Sequence, residues 1–391
     1  MREKFAWAAP TAVSLFGLSL LGGCRKPETR PSPASIASNA QRQKGAETVS
    51  SGSAGQASTP SLGTNADWTH PSWTPRPLDP SLSDELVGIV SALEDGEQVE
   101  SARLGVAGEP SRQWERYERL KELATVDQLI RLTDYDNAIV RCYAFQALAA
   151  KNAVRVFEVL LRHVDDSESV AVQSGCVRMT ELTGDYFINV VTRSADPGGY
   201  HLSTEERDWL DGILLNDHSV RLVERAWLLD SLKPKPENYA RIRQLASDER
   251  NESAVRALAR YQRQEDKELI ASFFKRETTE VAALYAVREF PDQSFYPLVT
   301  KVFEQEWRQT LYDYPKWRLL YQVLAKYPQQ PVTLALFDRT VKSGNGFRHE
   351  TLGGYLLVAI TKYPNPVFEP LKSKIVLKDQ DDVKRDLAYD D

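Results

Sequence analysis

The strongest nucleophiles in this chain are three thiols, at Cys24, Cys142 and Cys176, and none has a histidine close to it in sequence. The five histidines, His70, His163, His201, His218 and His349, never fall three or four residues apart, so no helix can present two of them as a metal clamp. The sequence contains no His-Glu-x-x-His, no Cys-x-x-Cys and no Gly-x-Ser-x-Gly. Those are the compact patterns of zinc hydrolysis, thiol exchange and serine acyl transfer. Gly344-Asn345-Gly346 lacks a preceding strand and a third glycine, and reads as a loop between helices. Among the paired carboxylates, Glu205-Glu206 belongs to Ser203-x-x-Glu206, a capping box opening the helix that carries Trp209 and Leu210. Asp165-Asp166 and Asp381-Asp382 stand in turn and tail contexts, where carboxylates are solvated charge. The expectation is a chain without catalytic residues, metal, cofactor or small-molecule substrate.

Cys24 is different, because of what precedes it. Arg2 and Lys4 start the chain, Phe5 to Leu21 is predominantly apolar, and the run closes on Leu21-Gly22-Gly23-Cys24. The apolar stretch is short for a spanning helix, which needs about 20 such residues. This ending resembles the lipobox of bacterial lipoproteins, in which the thiol is acylated and the chain is cut just before it. The resemblance implies a signal peptide over 1–23, a lipid on Cys24 and a membrane anchor at the cell envelope. Arg25 follows where an inner-membrane retention signal would have Asp, which points to the outer membrane. Two or three acyl chains would make the tether effectively permanent, where one alone is marginal.

Charge narrows the partners. The formal charge is −6; the leader contributes +1 and residues 24–80 contribute +2, leaving −9 for residues 81–391. An acidic body is a poor ligand for nucleic acid, whose phosphates are read by clustered Lys and Arg. Residues 24–80 are rich in Ser, Pro, Gly, Ala, Thr and Gln, and too poor in large aliphatic residues to offset the entropy of ordering. The expectation there is a disordered linker, with Trp68 and Trp73 either clasping the first helices or serving a partner.

From residue 84 the apolar spacing is helical. Residues 126 and 157 begin a repeat at an offset of 31: Val126, Leu129 and Ile130 match Phe157, Leu160 and Leu161, and Asp134, Ile139, Phe145 and Leu148 match Asp165, Val170, Cys176 and Met179. Apolar residues at i, i+3 and i+4 form one buried helical face. The turn Asp would cap the next helix. Cys142 and Cys176 would then lie on the inner helices of neighbouring repeats, as inert buried thiols or, alternatively, as a disulfide. A second rhythm places Phe290-Pro291, Tyr327-Pro328 and Tyr363-Pro364 between apolar helices, at offsets of 37 and 36. Pro ends each helix while the aromatic packs back.

The stretch Leu132-Thr133-Asp134 to Val140-Arg141, with Asp217 to Arg221 and Ser253 to Leu258, resembles the HEAT repeat, with a turn Asp and a Val-Arg pair opening the inner helix. Arg141 to Ala149 together with Gly184 to Thr192 is also similar to a group of bacterial HEAT-repeat proteins. The resemblance implies an all-α HEAT-like solenoid of about seven helical pairs over residues 81–377, followed by a frayed acidic tail over 378–391. The break at 184–203, rich in aromatic and β-branched residues, reads as an extended segment. It would either cover a gap between two halves or bind a partner through Tyr186, Phe187, Tyr200 and His201. The function expected is a non-enzymatic lipoprotein scaffold that binds another protein. The alternatives are an immunity or inhibitor protein directed at a toxin or enzyme and, behind it, an enzyme of the HEAT-like lyase type.

Overall fold

The computed structural model describes residues 70–193, 198–309, 311–346, 348–377 and 381–388. Cys24, the leader before it, Trp68 and residues 194–197 lie outside the described residues. The described residues fall into two compact units, 70–213 with 217–221, and 214–216 with 222–388, where one continuous solenoid was expected. Among them, no helix is long and apolar enough to cross a membrane.

The first unit holds α1 (Asp84–Glu94), β1 (Val99–Leu104), β2 (Glu109–Pro110), α2 (Arg112–Leu123), α3 (Val126–Leu132), α4 (Ala138–Ala150), α5 (Val156–Arg162), β3 (Ser169–Gly175), β4 (Val177–Leu182) and α6 (Thr183–Arg193), followed by α7 (Thr204–Asn216). Its centre is α4, a helix so apolar that α1, α2, α3 and α6 all pack on it. Asn137 caps α4 through the amides of Ile139 and Val140. The turn Asp134 expected in that role is engaged elsewhere. The capping box Ser203–Glu206 opens α7 as expected.

The fold is not all-α. A sheet of order β2-β1-β3-β4 lies in this unit, with β1 parallel to β3 and β3 antiparallel to β4. The second copy of the offset repeat therefore keeps its first helix, α5, and has a hairpin where its second helix was expected. Ser169 pairs with Leu182 and Ser174 with Val177, which leaves Gly175 and Cys176 as its turn. Gly175 has φ +56, a conformation that glycine adopts without steric cost and that tight hairpin turns require. Conversely, the segment from Gly184 to Thr192, expected to be extended, lies within helix α6. Its Thr183, Phe187, Ile188 and Val191 form one buried face, and that burial overrides the weak helix propensity of its aromatic and β-branched residues.

The second unit is wholly helical among its described residues: α8 (Glu224–Ser231), α9 (Tyr239–Ser247), α10 (Glu252–Ala259), α11 (Lys267–Ser272), α12 (Glu280–Glu289), α13 (Tyr296–Arg308), α14 (Tyr314–Ala325), α15 (Pro331–Val341), α16 (Gly353–Lys362), α17 (Glu369–Lys372) and α18 (Asp381–Ala388). The even-numbered helices pack one on the next, from α8 to α18, as a continuous layer. The odd-numbered ones flank it. The aromatic-Pro turns stand where the sequence places them, and tyrosines, one of them in such a turn, tie neighbouring pairs together. Tyr261 donates its hydroxyl to the Lys235 carbonyl at 2.7 Å, and Tyr327 donates to the Asp292 carbonyl at 3.0 Å. Charges repeat the link: Arg243 of α9 reaches Asp266, and Lys267 of α11 reaches Asp292. The end of the chain is not a frayed tail over 381–388. Val383 is buried beside Gly354, and Asp386 pairs with Arg318 at 2.8 Å.

Candidate interaction surfaces and the buried charge cluster

The residues expected to contact a partner do not form one surface. Phe187 is fully buried, stacked on Phe145 with ring centres 4.0 Å apart. Tyr186 is buried beside it and donates its hydroxyl to Gln146 Oε1 at 2.8 Å. A helix that spends its aromatic face on the core has none left for a partner, so these two side chains are packing residues. Tyr200 is half-buried; its amide donates to the Ala149 carbonyl and its hydroxyl to Glu206 Oε1 at 2.5 Å. Of the four, only His201 is exposed. Cys142 is buried in α4, where burial pushes its thiol well above the ordinary range, while Cys176 is exposed at the hairpin turn. Neither is in a disulfide. The expectation that both sit on inner helices fails with the hairpin.

A dense group of titratable side chains lies under an N-terminal strap, residues 70–80. Arg141 of α4 is fully buried. It donates to Asp166 at 3.0 Å, to Glu168 at 2.6 Å, and to the carbonyls of Tyr135 and Asp136 at 2.9 and 2.7 Å. A guanidinium has enough N–H groups for all of these, which is the condition for burying it. Asp134 bonds His163 Nε2 at 3.1 Å and Arg162 at 3.0 Å. Burial alone would raise its pKa, but the His163 hydrogen bond and the Arg162 charge outweigh burial and hold the carboxyl below its ordinary 3.8. Trp73 lies across the group, its ring 4.8 Å from that of His163 and 4.6 Å from the Arg141 guanidinium. Arg76 completes the strap, its amide donating to the Asp134 carbonyl at 2.7 Å. Trp73 thus clasps the body, although on α4 and the end of α5 rather than on the first helices. The linker expected to reach residue 80 is part of the fold from residue 70.

The sequence gives no hint that His70 meets Ser219. Its Nε2 lies 3.1 Å from the Ser219 hydroxyl, with Asp217 nearby. The order of groups rules out an acyl-transfer relay, which needs the imidazole between hydroxyl and carboxylate. Here Ser219 Oγ donates to Asp217 Oδ1 at 2.7 Å, and the other imidazole nitrogen, Nδ1, faces the Pro71 carbonyl. His163 is equally unsuited to attack, being fully buried beneath Trp73. Among the described residues, no group of His, Cys, Asp and Glu is placed to hold a metal ion.

What the second unit offers instead is a surface. Along the continuous layer, cations, tyrosines and polar groups contact one another from helix to helix, most of them partly exposed, with Arg288 and Gln322 buried. Asp230 of α8 pairs with Arg256 of α10 at 3.1 Å. Arg256 lies 3.9 Å from the centre of the Tyr285 ring on α12, and Arg288 of α12 donates to Gln322 of α14 at 2.7 Å. Arg318 of α14 lies 5.5 Å from the Tyr355 ring on α16, and Lys326 lies 3.9 Å from the Tyr363 ring. Arg260 closes the series by donating to the carbonyls of Leu229 and Asp230 at the end of α8. No known protein family, curated protein or solved structure matches this chain.

Proposed function

We propose that this chain is a lipoprotein tethered through Cys24 to the outer membrane of the bacterial envelope, and that its body is a non-enzymatic scaffold for another protein. The second unit is read as a HEAT-like α-solenoid. The observation that carries the reading is the layer α8–α10–α12–α14–α16, linked in turn by an ion pair, a cation–aromatic contact, a hydrogen bond and a second cation–aromatic contact. Stacked helical pairs generate extended binding surfaces of this type, and recognition on them needs no titratable cluster. The sheet in the first unit does not weaken the reading, because the layer lies wholly in the second.

The anchor and the scaffold are tested together. Cys24→Ser should move the protein out of the membrane fraction, as uncleaved precursor or soluble material. Chemical crosslinking of the wild type in intact envelopes, followed by mass spectrometry, should return a discrete protein partner. A Cys24→Ser protein that stays acylated and membrane-bound at wild-type levels ends the lipoprotein reading.

A further inference from the structure

We infer that the partner engages the even-numbered helix layer of the second unit with an acidic amphipathic helix, in the way the chain's own α18 already sits at the end of that layer. The inference rests on the scaffold reading above and adds the chemistry of what binds.

Charge complementarity comes first. Residues 81–391 carry −9 in total, yet the layer presents Arg256, Arg318 and Lys362 on α10, α14 and α16, with Arg260 and Lys326 just past the ends of α10 and α14. Opposed to them on the same helices are few carboxylates, chiefly Asp230, Glu252 and Glu289. A locally basic face on an acidic body selects an acidic partner, and like-charge repulsion from the rest of the body discourages contact elsewhere.

The second argument is the state of two cations. Lys326 is half-buried and meets the Tyr363 ring, with no carboxylate in ion-pair range among the described residues. Arg260 is also half-buried and bonds only neutral carbonyls. Burial lowers the pKa of both, and the charges of Glu289 and, for Arg260, Asp230 offset it only in part. A carboxylate delivered to this face would restore what burial removed.

The third argument is α18. This short acidic helix, Asp381 to Ala388, buries Val383 beside Gly354 on α16 and sets Asp386 on Arg318 of α14. One apolar side chain and one carboxylate, three residues apart on a helix, are thus already docked on the layer. Lys326, past the end of α14, and Arg256 on α10 carry partly exposed cations further along the same layer.

The experiment uses the detergent-solubilised full-length protein and two synthetic amphipathic helices, one with Glu on its polar face and a twin with Lys. The Glu peptide should bind and the Lys twin should not, and added salt should weaken binding. Lys326→Glu should cost tenfold or more in affinity, about 1.4 kcal/mol. Asp386→Asn, which releases α18 from Arg318, should tighten binding of the Glu peptide. Circular dichroism melts of both variants check that the layer is intact, and Lys326→Gln serves if the charge reversal disturbs it. Equal binding of the two peptides, or a folded Lys326 variant with wild-type affinity, overturns the inference. Crosslinking in envelopes separates the two readings. A partner captured equally by wild type and Lys326→Glu leaves the scaffold standing with a different surface. Failure of the wild type to capture any protein removes the scaffold reading itself.

Discussion

At Asp134 two opposing effects act on one carboxyl. Burial favours its neutral form, and His163 with Arg162 favours its charged form; the second prevails. A carboxyl whose pKa is lowered by folding stabilises the native state above its unfolded pKa of 3.8, and this contribution fades as pH falls through the lower folded value. Asp134→Asn should therefore destabilise the protein at neutral pH. The gap between variant and wild type, read from urea unfolding, should hold from pH 6 down to about pH 4 and close as the buffer is taken below the unfolded value of 3.8. A gap that stays constant would mean that shape rather than charge holds this turn. Arg141 is the companion case. Its Val-Arg context made it visible in the sequence, but its partners Asp166 and Glu168 follow the end of α5, and no spacing rule ties them to α4.

Among the elements, the strap is the most informative, because its contacts are few and specific. Trp73 covers Arg141 and His163, and the Arg76 amide is held by the Asp134 carbonyl. Replacing Trp73 by Ala removes a cation–π contact of about 0.5–2 kcal/mol together with the stacked area. Hydrogen exchange at the Arg76 amide should then accelerate by tenfold or more while exchange in α4 changes far less. Equal acceleration at both sites would show that the strap is part of the core and not a clasp upon it. Docking was one of two roles the sequence left open for its tryptophans, and for Trp73 the structure shows it; the target was not legible. The aromatic-Pro turns and the capping box were legible, since each is set within a few residues by local sterics and hydrogen bonding. The sheet was not. Val170, Cys176 and Met179 fit a helical spacing, and Val170 with Val172 equally fits a strand. What decides is β1, whose Val99 pairs with Val172 far along the chain. Gly175, seated between two β-branched runs, was the one local signal for the hairpin. The expected interaction loop failed for the same reason in reverse: Tyr186 and Phe187 suit an exposed extended segment until α4 supplies a surface for them to bury against.

At the scale of the whole molecule the two units differ in how far apart in sequence their contacts lie. In the second, ties such as Arg243 to Asp266 and Tyr327 to Asp292 join residues 23 and 35 positions apart. In the first, the parallel pairing of β1 with β3 sets Val99 against Val172, with four helices and the strand β2 between them. Closing so long a loop must precede any reward from the pairing, and non-local topology slows folding across proteins generally. The consequence is an order in time. On refolding from denaturant, pulse-labelled amides in α10, α12 and α14 should gain protection in an early phase, and those of β1 and β3 in a later one. Simultaneous protection, or strands that form first, would contradict it. The unit that comes first in sequence would thus be the last to be completed, leaving the open edges of β1 and β3 exposed to wrong pairings while the second unit is already formed.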